Sequence, residues 1–194
     1  MEFHDLFYQT QGQKFPMKNI GVFLGANYGK NDLYKKQAVS LAHEMGKRKL
    51  NVVYGGSSSS LMGDFADAAV QSGCDVFGVI TKEILKAENP HKNIKELLIT
   101  NTMQERKSTM FDISDAFLVL PGGLGTLEEI FEIWNAAKIG LHKKPIGVLN
   151  IGGYFDKLFD FLFHCCDEGF VNKEKINFVK IADSPALLLN EILF

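Results

Sequence analysis

The residues best suited to chemistry lie in one glycine-rich stretch, PGGLGT at 121–126, which Glu128 and Glu129 follow closely. An apolar run at 115–120 precedes the stretch, and apolar residues at helical spacing follow it, so the predicted order is strand, turn, helix. Glycine lets a backbone turn tightly and approach a ligand, and the unpaired amides at the start of a helix bind phosphate well. We therefore expect a phosphate site here, with a carboxylate beside it.

Glu129 is the acid that we assign to this site. It lies about one helical turn beyond the last glycine and off the apolar stripe, with Ile133 and Ala136 on its own flank. A second apolar flank on one helix suggests a partner surface, so we expect a homodimer or a higher homo-oligomer. Glu128 and Glu132 are four residues apart on a more polar face, which favours a solvent-exposed surface.

Arg106 is the second candidate for chemistry. It lies three residues after Met103 and four before Met110, which places a cation at the edge of an apolar helical face. A guanidinium in that position calls for a fixed anionic partner. The spacing leaves open whether Arg106 faces a structural carboxylate, a substrate phosphate or a leaving base.

Alternating strand and helix patterns organise the whole chain. Strands are predicted at 19–24, 51–54, 75–80, 96–100, 115–120, 145–149 and 177–181. Helices are predicted at 32–48, 61–72, 102–113, 154–168 and 184–193, and after the glycine-rich stretch. The pattern is typical of an α/β fold: a three-layer Rossmann-like domain over 18–194 with a mainly parallel, roughly seven-stranded sheet. Residues 1–17 carry no clear period and are assigned as an N-terminal arm.

The topology predicts where a ligand binds. Right-handed crossovers place every strand-to-helix turn at the same edge of the sheet, and ligands bind at the carboxyl ends of such strands. The turns at Gly25, Gly55 and Gly122 should therefore converge on one cleft. These turns contain neither the G-x-G-x-x-G fingerprint nor the Walker pattern, which favours a phosphate ester smaller than a dinucleotide.

Composition excludes several classes of protein. The chain has 194 residues and a net charge of −2, which gives no reason to expect nucleic acid or an anionic membrane as a partner. Its three cysteines lack CxxC spacing and its five histidines lack ligand spacing, so we expect neither a disulfide framework nor a metal site. No signal peptide or membrane span is evident, and we expect a cytoplasmic protein.

Three segments together resemble the LOG (Lonely Guy) family. They are the PGGxGTxxE pattern at 121–129, the segment from Met103 to Lys107, and the turn from Tyr54 to Gly63. Members of this family are cytokinin riboside 5′-monophosphate phosphoribohydrolases, often mislabelled as lysine decarboxylases. The resemblance runs from about Lys18 to the C-terminus. It implies that Glu129 and Arg106 form the catalytic pair and that the PGGxGT turn holds the 5′-phosphate.

The resemblance also implies other substrate contacts. Glu88 is similar to the family's acidic contact with the base. The other substrate-binding residues that we expect are Gly122, Gly123, Gly125, Thr126, Lys107, Met103, Gly55, Gly56 and Gly25. The chain departs from the family pattern at Ser57 and Ser60, where glycine is usual, at Gln104, where histidine is common, and at Ala26-Asn27, which replace a serine pair.

The expected reaction is hydrolysis of the N-glycosidic bond of a nucleoside 5′-monophosphate, AMP or an N6-substituted analogue, without a cofactor. Cleavage of this bond passes through an oxocarbenium-like state, which a carboxylate near the ribose stabilises. The alternative is a non-catalytic nucleotide-binding or carrier protein, and the serine-rich second turn is the best argument for it. A decarboxylase is disfavoured because no lysine lies in a context that suggests a pyridoxal Schiff base.

Overall fold

A computed structural model describes residues 18–87 and 89–193, which contain one sheet of seven strands. The strands are β1 Asn19–Phe23, β2 Asn51–Tyr54, β3 Val76–Thr81, β4 Glu96–Thr100, β5 Ala116–Val119, β6 Ile146–Leu149 and β7 Lys180–Ala182. All neighbouring pairs are parallel, in the order β4-β3-β2-β1-β5-β6-β7. The predicted α/β class and seven-stranded sheet are confirmed, although β7 begins three residues later than predicted. The N-terminal arm and Glu88 lie outside the described residues.

Helices connect the strands and cover the sheet. They are α1 Asp32–Lys47, α2 Ser60–Gln71, α3 Lys82–Ala87, α4 Met103–Ile113, α5 Leu124–Lys138, α6 Asp156–Asp167, α7 Lys173–Ile176 and α8 Pro185–Leu193. A short 3₁₀ turn spans Ile151–Gly153. The sequence did not predict α3 or α7, because α3 buries none of its residues and α7 has only four, so neither shows an amphipathic stripe.

The core lies in two layers, one on each face of the sheet. Side chains of a strand alternate between faces, so Ile20 and Val22 pack with α1, α2 and α8, whereas Phe23 packs on the opposite face. The second face also carries α4, α5 and α6, represented by Met110, Ile130 and Phe159. These layers fix the ends of α4 and α5 against the sheet edge at which the glycine turns lie.

Strand order creates a crevice between β1 and β5. From β1 the chain adds strands outward to β4 on one side, and from β5 it adds them outward to β7 on the other. The loops after β1 and β5 therefore diverge, and an open α/β sheet binds its ligand at such a topological switch point. Within the described residues, no helix combines the length and the apolar character needed to cross a membrane.

Candidate active site

One cleft of about 510 Å³ collects the loops that follow β1, β2 and β5. Gly25, Gly55 and Gly122 all line it, as the topology predicted. The Gly25 amide donates a hydrogen bond to Pro121 O at 3.1 Å, and a Cβ built on Gly25 would lie 3.1 Å from Gly122 Cα. The two turns thus pack backbone against backbone at the switch point, which requires residues without bulky side chains.

The N-terminus of α5 supplies hydrogen-bond donors to this cleft. Gly123 is the N-cap residue and makes no side-chain capping bond, and the first amide bonded within the helix is that of Leu127, 3.0 Å from Gly123 O. The amides of Leu124, Gly125 and Thr126 precede that bond and belong to the first turn, where amides lack helical acceptors. With the positive end of the helix dipole, they suit a phosphate.

The glycines of this turn differ in their surroundings. A Cβ on Gly122 would lie 2.1 Å from Thr126 Oγ1 and 2.8 Å from Gly25 N, so this position admits no side chain. A Cβ on Gly123 or on Gly125 would meet no atom within 4 Å. Both residues line the cleft, so the space beside their backbones is the space that a bound anion would use.

Glu129 and Arg106 meet in the same cleft. Arg106 Nη1 lies 3.2 Å from Glu129 Oε1, and Arg106 Nε donates to Val79 O at 2.8 Å. Their side chains are only 7% and 11% exposed, so this ion pair is largely withdrawn from bulk water. A Cβ on Gly55 would lie 2.6 Å from Arg106 Nη2, which shows that the guanidinium occupies the space left by that glycine. The partner of Arg106, left open by the sequence, is Glu129.

Two opposing effects set the protonation of Glu129. Burial is the larger effect and raises the pKa of the carboxyl above the usual 4.5, because it penalises the charged form. The charge and the hydrogen bond of Arg106 act in the opposite direction. The result is a carboxyl group with a raised pKa that is held next to a permanent cation, a combination found at catalytic sites.

Lys107 does not line this cleft. Its Nζ lies 2.8 Å from both Glu128 Oε1 and Glu132 Oε2, and the residue lines a neighbouring groove between α4 and α5. The acid side chains are 59% and 49% exposed, so the predicted solvent-exposed surface carries an ion-pair network. Successive residues on a helix point about 100° apart, which explains why Arg106 and Lys107 face different cavities.

Gly56 and Met103 were predicted to contact the substrate, but neither lines the cleft. Gly56 is buried beneath the second turn with φ +80°, and a Cβ there would lie 3.0 Å from Leu97 Cδ1, so it supports the turn rather than lining the cleft. Met103 is 43% exposed at the start of α4, also outside the cleft lining. Glu88 lies outside the described residues, but the loop beside it is anchored: Asn89 O accepts a hydrogen bond from Ser58 N at 3.1 Å.

Comparison with known proteins identifies the family. Residues 62–192 match a family model described as possible lysine decarboxylase. A cytokinin riboside 5′-monophosphate phosphoribohydrolase of Arabidopsis thaliana is 40% identical over 159 residues, which are 82% of this chain and 73% of the relative. A probable enzyme of the same name from Oryza sativa subsp. japonica is 36% identical over 175 residues, 90% of this chain and 72% of the relative. The chain belongs to the LOG family.

Solved structures with the same fold include proteins named as cofactor binders and carriers. A molybdenum cofactor binding protein of Rippkaea orientalis superposes with a TM-score of 0.69 at 21% identity, covering 92% of this chain and 98% of that one. A molybdenum cofactor carrier protein of Chlamydomonas reinhardtii gives 0.68 at 19% identity, covering 91% and 98%. At this level of identity the likeness establishes only that the LOG-family chain shares their Rossmann-like fold.

Ser57 and Ser60 lie in the second turn, between the end of β2 and the start of α2. Ser57 is 4% exposed and lines the cleft, and its Oγ accepts a hydrogen bond from Ser59 N at 3.2 Å. Ser60 adopts φ +53°, a left-handed conformation that glycine adopts without strain.

Sequence reasoning assigned no role in the site to several residues that line the cleft, among them three that come from other elements. Ile84 reaches it from α3, Tyr34 from α1, and Tyr154 from the turn after β6. The sequence predicts Tyr154 only as the first residue of a helix at 154–168. The one signal that pointed to these residues was that each lies in the first element after β1, β3 or β6, because those strands end at the ligand edge of the sheet.

Proposed function

We propose that the protein hydrolyses the N-glycosidic bond of a nucleoside 5′-monophosphate to free base and ribose 5-phosphate. The observation that carries the proposal is the buried Glu129–Arg106 pair, set in the same cleft as the N-terminus of α5. The helix end suits a phosphate and the carboxylate suits a developing positive charge, so one ligand with both features fits the cleft. The activity named for the family relatives is of this kind.

In the proposed reaction the bond between C1′ and the base nitrogen breaks, and its electron pair leaves with the base. The oxygen of a water molecule bonds to C1′, and its protons pass to Glu129 and onward to the departing base or to solvent. Glu129 must be ionised to stabilise the oxocarbenium-like state and to orient or deprotonate the water. Arg106 favours the ionised form, because a neighbouring cation lowers the pKa of Glu129 and so opposes the effect of burial.

The 5′-phosphate would act as a handle. Binding energy from a part of the substrate that does not react can position the reacting part, so a substrate that lacks it loses turnover as well as affinity. We expect AMP or an N6-substituted analogue to react and adenosine to react poorly. Comparable kcat/KM values for adenosine and AMP would contradict this role of the phosphate.

The test is a panel of nucleoside 5′-monophosphates, with free base and ribose 5-phosphate quantified by chromatography. We expect Glu129→Gln to lower kcat by a factor of about 100 or more, the usual range for a charge-stabilising or acid–base group. Glu128→Gln is the matched control: it removes the adjacent, exposed acid, which pairs with Lys107, and should retain activity. Unchanged release of base by Glu129→Gln would contradict the proposal.

The competing proposal is a non-catalytic nucleotide-binding or carrier protein. Proteins named as molybdenum cofactor carriers share the fold, and Ser57 and Ser60 stand where the resemblance to the family leads us to expect glycine. A carrier, however, has no need of a buried carboxylate next to an arginine, which costs free energy of desolvation. Saturable binding of AMP by calorimetry without release of base would favour the carrier.

We further propose a homodimer that acts in the cytoplasm. The flank of α5 offers less surface to a partner than the sequence predicts, because Ile133 is 5% exposed and packs in the protein's own core. The α4–α5 groove nevertheless retains Ala136, Phe111 and the 74% exposed Leu141 for a second copy. The free thiols Cys74, Cys165 and Cys166 suit a reducing compartment.

A further inference from the structure

Tyr154 makes the one side-chain hydrogen bond to the glycine turn that the described residues contain. Its hydroxyl donates to Gly122 O at 2.6 Å. The tyrosine comes from a different loop, the turn after β6, and reaches across to the end of β5. It also lines the cleft. A side chain of one loop thus holds a backbone carbonyl of another at the proposed phosphate site.

That carbonyl controls the direction of an amide. Gly122 C=O and Gly123 N–H belong to the same peptide unit, and in a trans peptide these groups point in opposite directions. Anchoring the carbonyl to Tyr154 therefore fixes the direction of the Gly123 amide at the N-cap of α5. Glycine has the most flexible backbone of all residues, and Gly123 makes no side-chain capping bond. A contact that fixes the direction of the Gly123 amide therefore has to come from outside the turn.

Tyr154 is itself held in place. Its ring makes an edge contact with Tyr34 at 5.6 Å and another with Phe155 at 4.9 Å. Behind it, Asn150 Oδ1 accepts a hydrogen bond from Phe155 N at 2.8 Å, and Asn150 Nδ2 donates to Asp156 Oδ1 at 2.6 Å. A fixed ring delivers its hydroxyl to one place, which is what a positioning role requires.

We propose that Tyr154 is a positioning residue for the phosphate group of the substrate. It orders the Gly122–Gly123 peptide before the ligand arrives, so that less conformational entropy is lost on binding. This inference deepens the proposed function and rests on it for the identity of the phosphate ester. The role predicts an effect on the phosphate end of the ligand and none on the base end.

The test compares the wild-type protein with Tyr154→Phe, which removes only the hydroxyl. One hydrogen bond of ordinary strength predicts a rise of about five-fold in the Kd for ribose 5-phosphate and in the KM for AMP. The Kd for adenine should stay the same, and kcat should change by less than about two-fold. Tyr28→Phe is the matched control, because Tyr28 is 45% exposed and lies outside the cleft lining.

A second measurement does not depend on turnover. The order parameter of the Gly123 amide from ¹⁵N relaxation should fall in ligand-free Tyr154→Phe, because the peptide loses its anchor. An unchanged Kd for ribose 5-phosphate, or equal weakening for adenine and ribose 5-phosphate, would overturn the positioning role. If the wild-type protein binds ribose 5-phosphate but releases no base, the proposed hydrolysis fails while the Kd comparison still decides the role of Tyr154. If it binds no ribose 5-phosphate, both proposals fail.

Discussion

The proposed chemistry of the cleft depends on a carboxylate that burial makes harder to ionise. Glu129 keeps 11% of its side chain exposed, and Arg106 Nη1 lies 3.2 Å away. Arg106 donates through Nε to Val79 O and through Nη1 to Glu129. A lysine cannot reproduce this arrangement, because all of its donors are on one nitrogen. The guanidinium therefore both orients the acid and lowers its pKa relative to burial alone.

The first prediction concerns pH. Because burial raises the pKa of Glu129, kcat/KM should decline as pH falls through a value above the usual 4.5 of a glutamate. Arg106→Gln removes the cation that opposes this effect, so the acidic limb should move to still higher pH. The pH profile of base release measures the first shift, and a ¹³C titration of the Glu129 carboxyl measures both even if the variant is slow. An acidic limb at or below 4.5 would contradict the role of burial.

The second prediction separates stability from binding at Gly125, the second residue of α5. Alanine there meets no atom within 4 Å and favours a helix over glycine, so Gly125→Ala should raise the free energy of unfolding by about 0.5–1 kcal/mol. The added methyl group would enter the space beside the phosphate, so the KM for AMP should rise roughly ten-fold, about 1.4 kcal/mol. Urea unfolding and steady-state kinetics measure the two effects.

Gly122→Ala is the contrasting variant for that experiment. Its Cβ would lie 2.1 Å from Thr126 Oγ1, so it should lower stability as well as activity. If Gly125→Ala bound AMP as tightly as the wild-type protein, the space at the helix N-terminus would not be the phosphate site.

At the scale of helices and strands, the sequence predicted those elements that bury a continuous surface. The strands were recognisable because a parallel strand covered on both faces is an apolar run, as in the fully buried Ala116–Val119. The helix α3 was missed because it buries no side chain, yet its Ile84 lines the cleft. Lys107 faces the α4–α5 groove in the structure, because orientation around a helix depends on packing that the motif does not encode.

The third prediction concerns the end of α1. Lys49 adopts φ +57°, its amide donates to Gly46 O at 3.0 Å, and the amide of Leu50 donates to Met45 O at 3.0 Å. Such a helix end favours glycine in the left-handed position. Lys49→Gly should therefore raise the free energy of unfolding by about 0.5–1 kcal/mol. This value is the strain relieved in the folded state, reduced by the extra conformational entropy that glycine gives to the unfolded chain.

Lys47→Gly is the control for that prediction. Lys47 lies inside the last turn of α1, so glycine there should lower stability by about 1 kcal/mol. Urea unfolding of both variants measures the difference, and kcat should not change because neither residue lines the cleft. Equal destabilisation by both substitutions would show that the conformation of Lys49 carries no strain.

At the scale of the whole molecule, strand order brings the site together. The sequence predicted that the turns share one edge, since right-handed crossovers require it, but not that β1 adjoins β5 or that β5 adjoins β6. The first adjacency creates the switch point, and the second brings Tyr154 within hydrogen-bonding distance of Gly122. Strand order arises from packing among distant segments, which no local pattern specifies.

The last prediction concerns assembly. The α4–α5 groove shares Glu129 with the cleft, so a second copy seated there would shield the acid further from water. Ala136 is half-buried in the groove, and near its far end Leu141 and Ile139 are 74% and 62% exposed. Light scattering after size exclusion should give a mass twice the chain's 21.7 kDa.

Ala136→Glu should reduce that mass to a single 21.7 kDa chain, because it adds a carboxylate to a groove that Glu129 and Glu132 already line, and burial between two copies penalises its charge. Asn135→Glu is the matched control, since it adds the same charge to an exposed neighbouring position outside the groove lining, and should leave the dimer intact. A dimer that survives Ala136→Glu would place the interface elsewhere, and a wild-type mass of one chain would contradict the homodimer. Dissociation should also raise the exposure of Glu129, and with it shift the acidic limb of the pH profile down towards the usual glutamate value.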